Sequence, residues 1–313
     1  MKLTTEIFEK TSRWIKRNAR PLESALWSYH FEDNNADGVI KCIQAFQNED
    51  GGFGHGIEPD FWSPHSSPMA SWAAGQILRD IEAKPELNVV RKLVNYLEYT
   101  YIEEKKLWPS VMPSNNAYPH APWWHWSENI QENWSYNPSA ELAALLLHWS
   151  LGGGSTNEKG WETIKNAVAY LMEEDEMDRH EINNFQQLIK LMSKQETEFN
   201  SRINCTLKHT AEKVNSLAYK AAGKKKADWG LGYTAMPLDF VEYPEEPLSM
   251  KFGNLIDDNL DFYIEQISNE GIWDISWSWG QFENEFQIAR NHWKGILAVK
   301  RYKILHAFGR LNV

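Results

Sequence analysis

Hydrophobic positions recur at three- and four-residue steps along most of this chain, the mark of helices with one buried face. Leu22, Ala25, Leu26, Tyr29 and His30 outline one helix after Pro21, a favourable first-turn proline. Val39, Ile40, Ile43, Phe46 and Gln47 outline the next, which stops at Gly51-Gly52. Met69–Leu78 and Ala140–Trp149 are apolar nearly all round and rich in small residues, which predicts helices enclosed by other helices. Val89–Ile102, Trp161–Met172 and Leu255–Ile267 set an apolar stripe against a charged face and predict outer helices, and a last long helix is expected to reach about Leu311. Sustained alternation of period two is absent. The expected fold class is all-α.

Outer and inner segments alternate with a shared grammar: an outer helix, a Gly or Leu, an aromatic, then a Pro-rich loop into an inner helix. It appears at Asp50-Gly51-Gly52-Phe53-Gly54, at Leu107-Trp108-Pro109, at Trp229-Gly230-Leu231-Gly232 and at Gly271-Ile272-Trp273, with a degenerate copy near Asp175–Glu181. Phe53 and Trp108 are 55 residues apart, Trp108 and Leu231 are 123 apart, about two such periods, and the last step is shorter. Hairpins repeating in this way close into a ring or stack as a solenoid, and a solenoid needs polar ends. Both terminal inner segments, Leu22–Phe31 and Phe286–Phe308, are apolar, which favours a closed ring in a single domain spanning residues 1–313. Gly152-Gly153-Gly154-Ser155 reads as a hairpin loop within it.

The run Gln44–Gly54, followed by the small-residue helix Ser66–Leu78, resembles the repeat unit of the terpenoid cyclase and protein prenyltransferase superfamily. Leu260–Gln266 with Gly271-Ile272-Trp273 resembles a second, QW-type copy. The resemblance implies an (α/α)6 toroid of about six helical hairpins and an aromatic-lined pocket for a small hydrophobic, isoprenoid-type ligand. The motif itself has structural jobs, since its glycines allow a tight turn and its aromatic fills the gap between hairpins. The superfamily's chemistry is mostly missing. No Asp-x-Asp-Asp run occurs, and Asp257, Asp258 and Asp261 match the magnesium-binding Asp-Asp-x-x-Asp pattern in a helix first turn, where acids suit the helix dipole anyway. Cys205 and His209 lie four apart, at the spacing of one helix face, without a second pair at zinc-ligand spacing. No metal and no cofactor are expected.

Net charge is −11 and no basic tract is long enough to follow a phosphate backbone, so nucleic acid is not an expected partner. The polar start at Thr4, Thr5 and Glu6 predicts no signal peptide, and no apolar run predicts a transmembrane segment. Cys42 and Cys205 alone make a disulfide framework unexpected, and the expected location is cytoplasmic. Phosphate-loop, nucleophile-elbow and His-Glu-x-x-His patterns are absent. The acidic run Glu173–Glu181 reads as a solvated helix end, and His148 and His292 as satisfied core histidines. Arg290, on the last inner helix, needs a carboxylate, with Glu285 and Glu58 as the expected partners.

Tryptophan changes the picture. The chain holds 16, and ten of them fall in the four outer-to-inner connections 53–66, 108–137, 228–248 and 272–283, about a quarter of its length. Aromatic-rich loops carrying a few polar groups are where small-molecule sites form. The expected ligand-binding residues are His55, Trp62, His65, Asn115, Tyr118, His120, Trp123, Trp124, His125, Asp239, Trp277 and Trp279. Glu58, Asp60 and Asp274 are the candidate catalytic carboxylates, with Glu141 and Asp239 as further acids. Three readings stand: an isoprenoid enzyme using cation–π contacts, a carbohydrate-active (α/α)6 enzyme stacking sugars on tryptophan with a carboxylate pair, and a non-catalytic binder of a ligand or partner. The sequence leaves catalysis open between them.

Overall fold

The computed structural model describes residues 1–150 and 154–312. Among these the regular structure is helical, and strand pairing is confined to isolated bridges. Gly152 and Gly153 of the glycine loop lie outside the described residues. The chain divides into two compact units, a central one of Ile43–Lys220 and a terminal one of Met1–Cys42 with Ala221–Val313.

The central unit is organised by α6 (Ser139–Trp149), whose side chains are buried on nearly every side, as its all-round apolarity predicts. It packs against α7 (Ser155–Glu173) and α8 (Arg179–Met192), and less extensively against α4 (Pro68–Asp80) and α5 (Asn88–Thr100). α5 and α7 each bury one stripe, Val89, Val90, Leu93, Tyr96 and Leu97 on α5 and Trp161, Ile164, Val168 and Leu171 on α7. α9 (Glu196–Arg202) and α10 (Leu207–Ala221) complete the unit. Cys205 precedes α10, so it does not share a helix face with His209, which is exposed and faces Glu212 instead.

In the terminal unit α13 (Glu283–Ala307) packs on α1 (Thr5–Asn18) and α2 (Pro21–Phe31), with α3 (Ala36–Gln44) entering at the boundary. α11 (Pro247–Phe252) packs on α12 (Asn254–Glu265). α13 ends four residues before the expected Leu311, because the chain turns back and pairs Leu311 with Leu3. A fully buried group of Trp27, Trp273 and Tyr302 holds the unit together, with ring centroids 5.1–5.5 Å apart. Tyr302 Oη meets Thr11 Oγ1 at 2.6 Å, and Thr11 donates to the Gly271 carbonyl at 2.7 Å. Burial pushes the Tyr302 phenol up to about 12. Asp257 and Asp261 on α12 pair with Arg310 at 2.6 and 3.1 Å, an architectural use of the Asp-Asp-x-x-Asp match.

Two of the aromatics singled out in the sequence, Trp108 and Trp273, serve the ends of the helices before them. A helix ends with carbonyls that lack intrahelical partners. Trp108 Nε1 donates to the Leu97 carbonyl in the last turn of α5 at 2.7 Å, and Trp273 Nε1 donates to the Tyr263 carbonyl in the last turn of α12 at 2.7 Å. Each aromatic thus plugs the core and caps the helix before it. Serines of the following helix hold the aromatic's backbone, Ser71 Oγ accepting from Phe53 N at 3.1 Å and Ser139 Oγ accepting from Trp108 N at 3.0 Å. Gln47 Nε2 donates to the carbonyls of Gly51 and Val89, both at 2.9 Å.

Candidate functional site

The loop before α4 and the loop before α6 interlock within the central unit. Phe61 bridges His120, Trp62 N–H donates to the Pro119 carbonyl at 2.9 Å, and Ala121 N–H donates to the Asp60 carbonyl at 2.8 Å. Two Pro-rich segments, whose bridging residues Phe61 and His120 are 59 positions apart in sequence, are thereby held in one sheet-like contact. Short 3-10 turns, Pro113–Ala117 and Pro122–Trp124, shape the second segment and each opens on proline, whose fixed φ suits a first turn.

This contact assembles an imidazole–phenol network. His120 Nδ1 faces the Tyr118 carbonyl at 2.6 Å, so that nitrogen carries the proton. His120 Nε2 is then the acceptor and His125 Nδ1, 3.1 Å away, the donor. His125 Nε2 in turn faces the Asn116 amide nitrogen at 3.5 Å, and that amide is fixed by its bonds with the Trp126 backbone. With both rings neutral, the donor order runs one way along this network. Tyr118 Oη meets His65 Nε2 at 3.2 Å with the rings edge-on, and His55 Nε2 lies 2.8 Å from Asn48 Oδ1. His65 and His125 are exposed, while Tyr118, Trp62 and Trp123 are half-buried.

Beneath the network lies an aromatic stack. Phe61 meets Trp124 edge-on at 5.1 Å, and Trp124 lies parallel to Trp134 at 4.7 Å. Asn115 donates from its amide to the Trp124 carbonyl at 3.2 Å, while Asn115 Oδ1 and Trp124 Nε1 are buried polar atoms with no partner. Such orphans are rare in native interiors and mark a place where a further polar group belongs. Glu58 and Asp60 are buried in the same turn, with Glu58 Oε2 accepting from Asp60 N–H at 2.8 Å. Glu141, fully buried on α6, accepts from Trp72 Nε1 at 2.6 Å and Gln76 Nε2 at 3.0 Å.

The remaining expected site residues belong to the terminal unit. Asp274 is bound on both oxygens by Arg290 and approached by Lys294 at 3.5 Å. Burial opposes its charge, but the Arg290 hydrogen bonds prevail and hold its carboxyl below the usual range. Asp274 is thus the partner of Arg290, in place of the expected Glu285 or Glu58. Asp239 Oδ2 accepts from Met236 N–H at 2.8 Å, Trp279 is buried beside Phe286, and Trp277 packs edge-on against Trp293 at 5.3 Å. His292 is half-buried with Nδ1 unpartnered, so it is not a satisfied core histidine; burial, helped by Arg20, depresses it to about 4.

Sequence reasoning passed over one group. Glu181 belongs to the acidic run read as solvated, yet it is 9% exposed, and burial lifts its carboxyl to about 7. Its spacing could have revealed it, since Glu181, Phe185, Leu188 and Met192 step by four, three and four along the buried face of α8. Two surface cavities lie apart from the loop cluster, one of about 400 Å³ at Ser193–Glu198 and one of about 450 Å³ bounded by Phe8, Tyr29, Phe31 and His306. No group of three or more His, Cys, Asp or Glu among the described residues is arranged to hold a metal ion. No protein-family model matches this chain, no curated protein does, and no solved structure does.

Proposed function

We propose that the interlocked loops of the central unit bind a small organic molecule with an apolar face and hydroxyl-type hydrogen-bonding groups. The observation that carries this is the juxtaposition of the His65–Tyr118 and His120–His125 pairs, each with one exposed imidazole (His65, His125), with the half-buried indoles of Trp62 and Trp123. Imidazole and phenol edges serve a ligand that can donate and accept, and indole faces serve its C–H surface. A cyclic sugar or polyol has both features; an isoprenoid chain has only the second. Among the readings open to the sequence, the carbohydrate-type ligand therefore has the better support, with the isoprenoid ligand as its competitor. Catalysis by Glu58 and Asp60 is a separate claim, tested by turnover. The (α/α)6 toroid stays part of this proposal, supported by the indole-capped helix ends recurring at Trp108 and Trp273. So does a cytoplasmic location, supported by two free thiols, Cys42 and Cys205. No helix among the described residues is long and apolar enough to cross a membrane.

The test is saturation-transfer NMR of the full chain against maltose and against farnesol. Maltose contact that disappears in Tyr118→Phe/His65→Ala is the expected result. Farnesol contact unaffected by those changes would replace this reading with the isoprenoid one, and silence from both would remove the site.

A further inference from the structure

The Glu181 centre has a chemistry of its own, distinct from that of the imidazole network. Its carboxyl sits at the start of α8 and is held by two long contacts, from Tyr136 N–H at 3.4 Å and Tyr170 Oη at 3.5 Å. The phenol rings of Tyr136 and Tyr170 stand 5.5 Å apart at 44°. Glu174 at the end of α7 and Asp178 at the N-cap of α8 add like charge. Among the described residues, no lysine or arginine forms an ion pair with Glu181.

A second observation is independent of the acids. Asn184, one turn along the same face of α8, is 1% exposed. Its amide nitrogen donates to the His180 carbonyl at 2.9 Å and to Asn137 Oδ1 at 3.0 Å, which fixes the identity of the other amide atom. That atom, Oδ1, is buried without a partner. The contact with Asn137 sets the Asn184 amide against the residue next to Tyr136, on the loop segment that holds the Glu181 carboxyl. The group thus offers a carboxylate, an orphaned amide oxygen and two π faces. All of these are acceptors of positive charge or of N–H.

We propose that Glu181, Asn184, Tyr136 and Tyr170 form a binding site for a small organic ammonium, with N–H groups directed to the carboxylate and to Asn184 Oδ1 and the charge set against the phenol rings. A metal ion suits the place less well, because no cluster of three ionisable ligands is present there among the described residues. Tyr136, Tyr170 and Glu174 are only half-buried, so the group reaches the surface. Burial without a neighbouring cation keeps the Glu181 carboxyl near 7, and an ammonium beside it lowers that value, so uptake near neutrality releases a proton.

The experiment is calorimetric titration of the full chain with ethylammonium chloride at pH 6 and pH 8, against potassium chloride at matched ionic strength. Saturable binding about tenfold tighter at pH 8 is expected, since only the ionised carboxyl competes for the cation. Glu181→Gln, which keeps the side chain's shape, should weaken binding at least tenfold. Should that variant fail to fold, the carboxyl ¹³C shift of Glu181 in the unaltered chain decides: its titration midpoint must fall with ethylammonium present. Heat matched by potassium chloride, undiminished affinity in Glu181→Gln, or an unmoved midpoint would each overturn the proposal.

Discussion

A glycine stands two residues before the buried aromatics Phe53 and Trp273, and in both places the backbone leaves no alternative. Gly51 has φ +92°, and a Cβ there would stand 2.3 Å from the Lys92 carbonyl oxygen. Gly271 has φ +83°, and its Cβ would meet Thr11 Oγ1 at 2.2 Å, the hydroxyl that already donates to the Gly271 carbonyl. Left-handed strain and the clash add, so Gly51→Ala and Gly271→Ala should each cost about 2 kcal/mol or more in denaturant unfolding. The aromatic itself makes two separable contributions. Trp108→Phe keeps a ring in the core but leaves the Leu97 carbonyl at the end of α5 without its indole donor. A loss of about 1–3 kcal/mol is expected, with hydrogen exchange accelerating first in the last turn of α5.

At the scale of elements, legibility followed how apolar the buried face is. α6 could be read because ten of its eleven residues are buried and most of them are Ala or Leu. α8 is harder to read, because Glu181, Asn184 and Gln187 lie on its buried side and interrupt the apolar stripe of Phe185, Leu188 and Met192. Their burial depends on partners from other segments, Tyr136, Asn137 and Arg79, which no local pattern contains. The site divides in the same way. Residue types and loop positions were legible, as with His65, Tyr118, His120 and His125. The pairing of Phe61 with His120 was not, since hydrogen-bond register between distant loops leaves no periodic trace. The Glu181 carboxyl also makes α8 a pH-responsive element. Its folded value of about 7 lies above the ordinary 4.5, so the folded state holds a proton that the unfolded state has released. Stability from this group is complete below about pH 4.5 and declines as pH rises through 7. Screening reduces the effect to on the order of 2 kcal/mol, and Glu181→Gln should flatten that limb in urea titrations at pH 5, 6 and 7.

Across the whole molecule the two units should respond to pH in opposite directions. Glu181 weakens the central unit as pH rises between about 4.5 and 7. His292, in the terminal unit, is depressed to about 4 from 6.5, so its unfolded form takes up a proton that the folded form refuses. Its contribution is complete above about pH 6.5 and is lost as pH falls toward 4. Residue-resolved hydrogen exchange at pH 5 and pH 7, corrected for intrinsic rates, should find slow amides of α6 and α8 better protected at the lower pH. Those of α2 and α13 should be better protected at the higher. A common shift in all four helices would mean that neither group governs its own unit. One bulk melting curve would hide the effect, because opposing slopes over the same interval cancel.

The division of tryptophans between buried and solvent-facing positions also gives the chain two built-in optical reporters. Trp27, Trp108 and Trp273 are sealed at 1% exposure or less, while Trp62, Trp123, Trp126 and Trp277 meet solvent. Iodide should therefore quench only a fraction of the emission and leave a protected remainder. A ligand settling on the interlocked loops would shield part of the quenchable fraction and leave the protected signal unchanged, whereas loosening of a helix end would do the reverse. Binding and unfolding can thus be told apart in one cuvette, without a label.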